Sequence, residues 1–121
     1  MFKRLLLLFS FFFLLLTGCE KEVHTIQYEV SGSAADMAIN YRNESQGHES
    51  YNVLSGWNKQ FAAESYYYLS LNVRNRTAAG SVSCRILVDG EILSEATSDG
   101  AYKAAHCGGL PVPPTPVPTA N

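Results

Sequence analysis

Residues 82–93 read Val-Ser-Cys-Arg-Ile-Leu-Val-Asp-Gly-Glu-Ile-Leu, and this stretch decides the fold class. Apolar side chains occupy every second position from Val82 to Val88, which is the period-two pattern of a strand with one buried face. An Asp-Gly pair between two apolar runs predicts a tight hairpin, because a type I′ turn needs positive φ at both central residues. The stretch therefore predicts two antiparallel strands joined at Asp89-Gly90.

The register of this hairpin remains open at the level of sequence. A two-residue turn pairs Ile86 with Leu93, and it then places Glu95 on the buried face unless a β-bulge intervenes. The sequence therefore predicts either an inward Glu95 or a bulge in the second strand.

The same alternation recurs along the chain, and polar or glycine-containing turns separate the segments at intervals of about 8–12 residues. No segment of helical length has a period of 3.6. We expect an all-β domain over residues 26–107, namely an antiparallel immunoglobulin-like β-sandwich of about seven strands, with a small β-barrel as the alternative. The clearest segments cover 26–30, 37–42, 67–73 and 82–88, and weaker ones begin at Tyr51, Phe61, Glu91 and Ala101.

The amino terminus has the layout of a secretory signal. Lys3 and Arg4 precede an apolar run from Leu5 to Leu16 that only Ser10 interrupts. A short positive region before about 7–15 apolar residues is typical of a signal peptide. The run is shorter than the roughly 20 residues that a comfortable transmembrane helix needs.

The run ends in Leu16-Thr17-Gly18-Cys19, which matches the lipobox of bacterial lipoproteins. We therefore expect residues 1–18 to be removed as a lipoprotein signal peptide, and Cys19 to receive the diacylglyceryl and palmitate-type chains. Residues 19–25 would be a lipidated tether, and the protein would be extracytoplasmic and held to the bacterial cell membrane by its lipid anchor. The alternatives are an ordinary signal with a chance cysteine, or an uncleaved anchor.

All five prolines lie between Pro111 and Pro118. Residues 108–121 are accordingly predicted to be a disordered or polyproline II tail. This tail is either a loose end or a segment that binds a surface partner or spans the cell wall.

Composition and motifs exclude several function classes. The net charge of −2 argues against a nucleic-acid partner, which would require a basic patch. The three histidines, His24, His48 and His106, are scattered, and no Gly-x-Ser-x-Gly or phosphate-binding loop is present. We expect no catalytic residues, no metal and no cofactor, hence a non-enzymatic protein.

Two cysteines remain if Cys19 carries lipid. Cys84 and Cys107 are predicted to form a disulfide, because paired cysteines are usual in exported domains. A thiol or metal site is the alternative, although no Cys-x-x-Cys spacing supports it.

Aromatic residues offer a candidate binding surface. Tyr67 is predicted to point inward, so Tyr66 and Tyr68 point outward together. With Trp57 and Tyr102 they would form an exposed surface for a lipid, a glycan or a protein partner. The alternative is that they are ordinary strand residues.

Residues 83–92, followed by Glu95, Ser98-Asp99-Gly100-Ala101-Tyr102 and Cys107, resemble the carboxy-terminal half of the mycobacterial membrane-protein-small (MmpS) family. That family also has a cysteine-arginine strand, an Asp-Gly-type turn and a second cysteine after a glycine-containing loop. The amino-terminal segment Ile26-Gln27-Tyr28-Glu29-Val30-Ser31-Gly32, Ile39-Asn40-Tyr41 and Trp57 are similar as well.

The resemblance implies an extracytoplasmic β-sandwich with paired Cys84 and Cys107. It also implies an accessory role beside RND-type exporters of lipids and siderophores, without catalytic residues. Another envelope protein is the alternative partner. The chain departs from the family in having a lipobox in place of a spanning helix, and in its proline-rich tail. A structural or adhesive cell-surface module is the alternative function.

Overall fold

The computed structural model describes residues 22–111, and within this range the protein is all-β. Eight antiparallel strands form two four-stranded sheets with free edges, which confirms the sandwich and excludes the closed barrel. The predicted signal, Cys19 and the residues beyond Pro111 lie outside the described residues. The strands are β1 (Val23–Ser31), β2 (Met37–Arg42), β3 (His48–Val53), β4 (Asn58–Glu64), β5 (Leu69–Asn75), β6 (Ser81–Val88), β7 (Glu91–Asp99) and β8 (Ala104–Gly109).

One sheet has the order β4-β1-β6-β7 and the other β3-β2-β5-β8. Strand direction alternates along the chain, so the connections fall at two opposite ends of the sandwich. We call the end that contains Glu22 and residues 43–47, 65–68 and 89–90 the proximal end. The distal end contains the β1–β2, β3–β4, β5–β6 and β7–β8 connections.

The core fills the space between the sheets with the inward side chains of the alternating pattern. Ile26, Tyr28, Leu69, Leu71 and Ile86 have no exposed surface. The ring of Tyr28 packs edge-on against Phe61 at 5.1 Å between centroids and against Tyr41 at 5.9 Å. Burial of these apolar faces is the main stabilising contribution, because each large side chain contributes roughly 1.5–3 kcal/mol when removed from water.

The Asp89-Gly90 turn has positive φ at both residues, 52° and 85°, as the sequence predicted. A β-bulge then shifts the register of β7, since Ile86 pairs with Ser94 whereas Leu87 pairs with Ile92. The bulge turns Glu95 outward. Of the two registers that the sequence allowed, the one with a bulge in the second strand is therefore correct.

Several strand ends differ from the predicted ones. β1 already begins at Val23, so residues 23–25 are part of a strand rather than a tether. β3 starts at His48, three residues before Tyr51. β5 starts at Leu69 because the Tyr67 amide donates to the Glu64 carbonyl and forms a turn there.

The last strand is also displaced from its predicted position of 101–107. The amide of Tyr102 donates to the Thr77 carbonyl, and Tyr102 has a φ of 56°, so the chain is still turning there. β8 therefore begins at Ala104 and extends to Gly109. Pro111 is fully buried, so the first residues of the predicted tail belong to the folded domain.

Candidate functional site

A surface groove of about 670 Å³ lies on the outer face of the β4-β1-β6-β7 sheet, towards the distal end. Alternation places its polar residues there, because the opposite face of each strand is needed for the core. The side chains that shape it are Glu29 and Ser31 of β1, Trp57 and Asn58 at the start of β4, Ser83 and Arg85 of β6, and Glu95 and Thr97 of β7.

An ion pair crosses the groove. Arg85 Nε donates to Glu29 Oε2 at 2.7 Å, and the amide of Gln27 donates to the other oxygen of Glu29 at 2.9 Å. Arg85 lies directly opposite Glu95 in the β6–β7 register. The Arg85 guanidinium is thus held in a defined orientation, while the Arg85 side chain as a whole remains 46% exposed.

The groove is suited to binding polar groups. The hydroxyls of Ser83 and Thr97 bond to each other at 2.8 Å, and both lie beside Arg85. Histidine is absent from the groove lining in the described part of the chain, and its one cysteine, Cys84, is in a disulfide. The arrangement offers hydroxyls, carboxylates and one cation, which is the usual set for hydrogen bonding to a polar ligand or protein surface.

Trp57 connects the groove with the core. Its ring lies tilted against that of Tyr41, with 5.3 Å between the ring centroids, and its carbonyl accepts a hydrogen bond from the Val30 amide at 2.9 Å. Trp57 is therefore a half-buried residue that closes the β3–β4 side of the sandwich, with one edge on the groove.

The four aromatic residues predicted to form one binding surface do not come together. Tyr66 and Tyr68 are exposed at the proximal end, whereas Trp57 and Tyr102 lie at the distal end. The seven residues of β5 separate the two ends by roughly 20 Å. The inward position of Tyr67 is confirmed, since this residue is buried and its hydroxyl donates to the Asn43 carbonyl.

Cys84 and Cys107 form a disulfide between β6 and β8, with their Cα atoms 6.1 Å apart. Because β6 and β8 belong to different sheets, the bond links the two layers of the sandwich. The alternative of a thiol or metal site at these cysteines is wrong. Across residues 22–111, no group of three or more histidine, cysteine or acidic side chains could hold a metal ion.

Asn75 is a structural residue that the sequence analysis missed. It has no exposed surface, and its amide nitrogen donates to the carbonyls of Ala79, Gly80 and Gly100. Its side-chain oxygen accepts from the amide and hydroxyl of Thr77. The available signal was an Asn two residues before Thr at a strand end, which is typical of an Asx turn.

Two acidic side chains have perturbed pKa values. Hydrogen bonds from Tyr51, Tyr41 and Asn43 lower the pKa of Glu49. Contacts with His24 and the Thr25 amide lower the pKa of Asp89.

Two core tyrosines are perturbed in the opposite direction. Burial raises the pKa of Tyr28 and of Tyr41 well above the usual tyrosine value, so both hydroxyls stay protonated at neutral pH.

Residues 20–108 match a family model described as Mycobacterium membrane protein. This is the same family that the cysteine-arginine strand and the glycine-containing loop of the chain resemble. No curated protein matches the chain. Between residues 22 and 111, the structure has no helix of sufficient length and apolarity to cross a bilayer.

Proposed function

The chain belongs to the Mycobacterium membrane protein family, and we propose that it is a non-enzymatic, lipid-anchored accessory protein of an RND-type exporter of lipids or siderophores. In this proposal the sandwich stands outside the cytoplasm, and the groove around Arg85 binds an extracytoplasmic part of the exporter. Family membership across residues 20–108 is the observation that carries the proposal.

The disulfide supports an extracytoplasmic position. Disulfides persist in oxidising compartments, and the Cys84–Cys107 bond joins the two sheets of a small domain. The lipobox at Leu16-Thr17-Gly18-Cys19 supports export with a lipid anchor.

The chemistry of the groove supports a binding role. Arg85 is preoriented by Glu29, so it can bond to a partner carboxylate with little loss of side-chain entropy. The hydroxyls of Ser31, Ser83 and Thr97 add donors and acceptors around it.

The anchor is tested by intact mass of the full chain extracted from membranes of its host. We expect the mass of residues 19–121 plus acyl chains, with no alkylation of thiols before reduction. An unprocessed chain would contradict the lipoprotein assignment and would favour a spanning anchor.

The partner is tested by photo-crosslinking in the same membranes. A photoreactive residue replaces Thr97 in the groove, and the control places it at Ser50 on the outer face of the other sheet. We expect a crosslink to an RND-type exporter from position 97 only. Crosslinks of equal yield from both positions, or none to an exporter, would reject the groove as the docking site.

A further inference from the structure

Five of the eight large apolar side chains that are exposed in residues 22–111 lie at the proximal end of the sandwich. Val23, Tyr66, Tyr68, Ile92 and Leu110 are each between 47% and 66% exposed. They come from four separate parts of the chain: the start of β1, the β4–β5 connection, the start of β7 and the residue after β8. The fold therefore gathers at one end a surface that no single segment contains.

These five side chains, which we call the rim, fall into three groups at this end. Val23 and Tyr66 line the same depression, and Ile92 lines another with His24 and Pro111. The β5–β8 register, in which Leu69 pairs with Gly109, places Tyr68 and Leu110 next to each other at the strand ends.

Hydrogen bonds hold this rim in a fixed shape. The two ring nitrogens of His24 contact Asp89 at 2.7 Å and Ser65 at 2.9 Å, so β1 is joined to two proximal connections. The Ser65 amide donates to the Glu22 carbonyl at 3.3 Å. The chain that leads back to Cys19 therefore starts directly beside the turn that carries Tyr66.

The covalent chain restricts the distance between the rim and the anchor. Val23 is four positions after Cys19 in the chain, and an extended chain spans at most about 3.6 Å per position, or roughly 14 Å here. If the apolar run stayed uncleaved and served as the anchor, it would end at Leu16, only seven positions before Val23. In both cases the proximal end lies within reach of the headgroup region.

We infer that Val23, Tyr66, Tyr68, Ile92 and Leu110 rest on the lipid surface and orient the sandwich with its distal end pointing away from the membrane. This inference rests on the proposed membrane anchor. Tyrosine suits this position, because its ring is apolar and its hydroxyl remains hydrated, as in the aromatic belts of membrane proteins. The groove around Arg85 would then face a partner well above the bilayer surface.

The charges at this end favour a surface of neutral headgroups. Asp89 is bonded to His24, and Glu44 is paired with Lys59 at 3.4 Å. Glu91 remains exposed at the rim. A net acidic rim would be repelled by strongly anionic lipid, so zwitterionic phosphatidylcholine is the appropriate test surface.

The test uses the full, processed chain reconstituted into phosphatidylcholine vesicles, with and without bromine on the acyl chains. Tryptophan is introduced by Tyr66→Trp, and separately by Ile92→Trp in case one variant fails to fold. Leu54→Trp is the matched control, because Leu54 is 71% exposed at the distal end. The native Trp57 supplies the same background emission in each protein.

We expect loss of the added emission in brominated vesicles for Tyr66→Trp and Ile92→Trp, and no loss for Leu54→Trp. Two results from a chain that floats with the vesicles would overturn the orientation and leave the anchor intact. One is equal quenching at both ends, and the other is quenching at neither end. A chain that does not float with the vesicles would remove the anchor and the inference together.

Discussion

The side-chain amide of Asn75 donates a hydrogen bond to the carbonyl oxygen of Gly100, 3.0 Å away, and thereby joins the end of β5 to the β7–β8 turn. The same amide bonds to Ala79 and Gly80 in the β5–β6 connection. Two neighbouring backbone bonds, from Tyr102 to Thr77 and from Gly100 to Gly80, complete this junction. One buried residue thus satisfies the carbonyls of two distal connections.

Replacing Asn75 with alanine should strongly destabilise the domain. The substitution removes five hydrogen bonds of a side chain that has no exposed surface. The Ala79, Gly80 and Gly100 carbonyls each keep one other donor, but the Thr77 amide loses its side-chain acceptor. We therefore expect the free energy of unfolding to fall by on the order of 3 kcal/mol. Urea denaturation followed by Trp57 fluorescence measures this change.

Asn72→Ala is the matched control for this loss. Asn72 is in the same strand, but its side-chain oxygen makes a single bond, to His106 at 2.6 Å on the outer face. Removal of the Asn72 side chain should lower the free energy of unfolding by about 1 kcal/mol or less. Similar losses for the two variants would show that Asn75 does not have the role assigned to it.

Removing the disulfide should weaken the connection between the sheets. Cys84 and Cys107 are 23 residues apart in sequence, and closing a loop of that size contributes about 3 kcal/mol by the chain-entropy estimate. The Cys84→Ala/Cys107→Ala variant should lose stability of that order in urea denaturation. Reductant should destabilise the native chain and have no effect on the variant; a variant that still responds to reductant would contradict this account.

The Asp89 carboxylate should make stability depend on pH in the acid range. Its pKa is lowered in the folded state, so the unfolded chain binds the proton more tightly than the folded one. The stabilisation is fully present above the ordinary value of 3.8 and is lost as the pH falls below it, through the lower folded-state pKa.

Asp89→Asn isolates this effect, because Asn-Gly is as suitable as Asp-Gly for a type I′ turn. The variant should be less stable than the native chain at neutral pH, and the difference should shrink as the pH falls below 3.8. Urea denaturation across this pH range gives the comparison. A difference that stays constant with pH would assign the loss to the turn rather than to the charge.

Arg85→Met should reduce partner capture while leaving the fold nearly unchanged. The Arg85–Glu29 pair is at the surface, where an ion pair contributes about 0–1 kcal/mol to stability. The free energy of unfolding should therefore change little. Crosslinking from Thr97 should decrease, because the partner loses its only basic contact in the groove lining. Arg74→Met, on the outer face of the other sheet, serves as control; an equal decrease there would indicate a general charge effect.

Much of the architecture could be predicted from local chemistry. Alternation from Val82 to Val88 placed Cys84 inward and Arg85 outward, because a strand with one buried face leaves no other choice. Asp89-Gly90 specified its turn through the φ angles that it tolerates. The pairing of Cys84 with Cys107 followed from the expected compartment, and the structure confirms it.

The candidate site was less accessible to such reasoning. Glu29, Arg85 and Glu95 are neighbours only because β1, β6 and β7 lie side by side, and the sequence does not state that order. Trp57 was placed with Tyr66, Tyr68 and Tyr102, although the structure separates them between the two ends of the sandwich. Proximity across sheets depends on topology, which no residue pattern within a single strand encodes.

By itself, the sequence determined the fold class, the turn at Asp89-Gly90, the inward and outward faces of the main strands and the family. These depend on residues close together in the chain, whose φ preferences and side-chain period act locally. Only the tertiary structure decided the bulge at Leu93, the junction around Asn75 and the apolar rim of the proximal end. The junction and the rim join segments that are distant in sequence, and the bulge depends on how β6 and β7 pair. Strand pairing and packing therefore had to be established before these contacts existed.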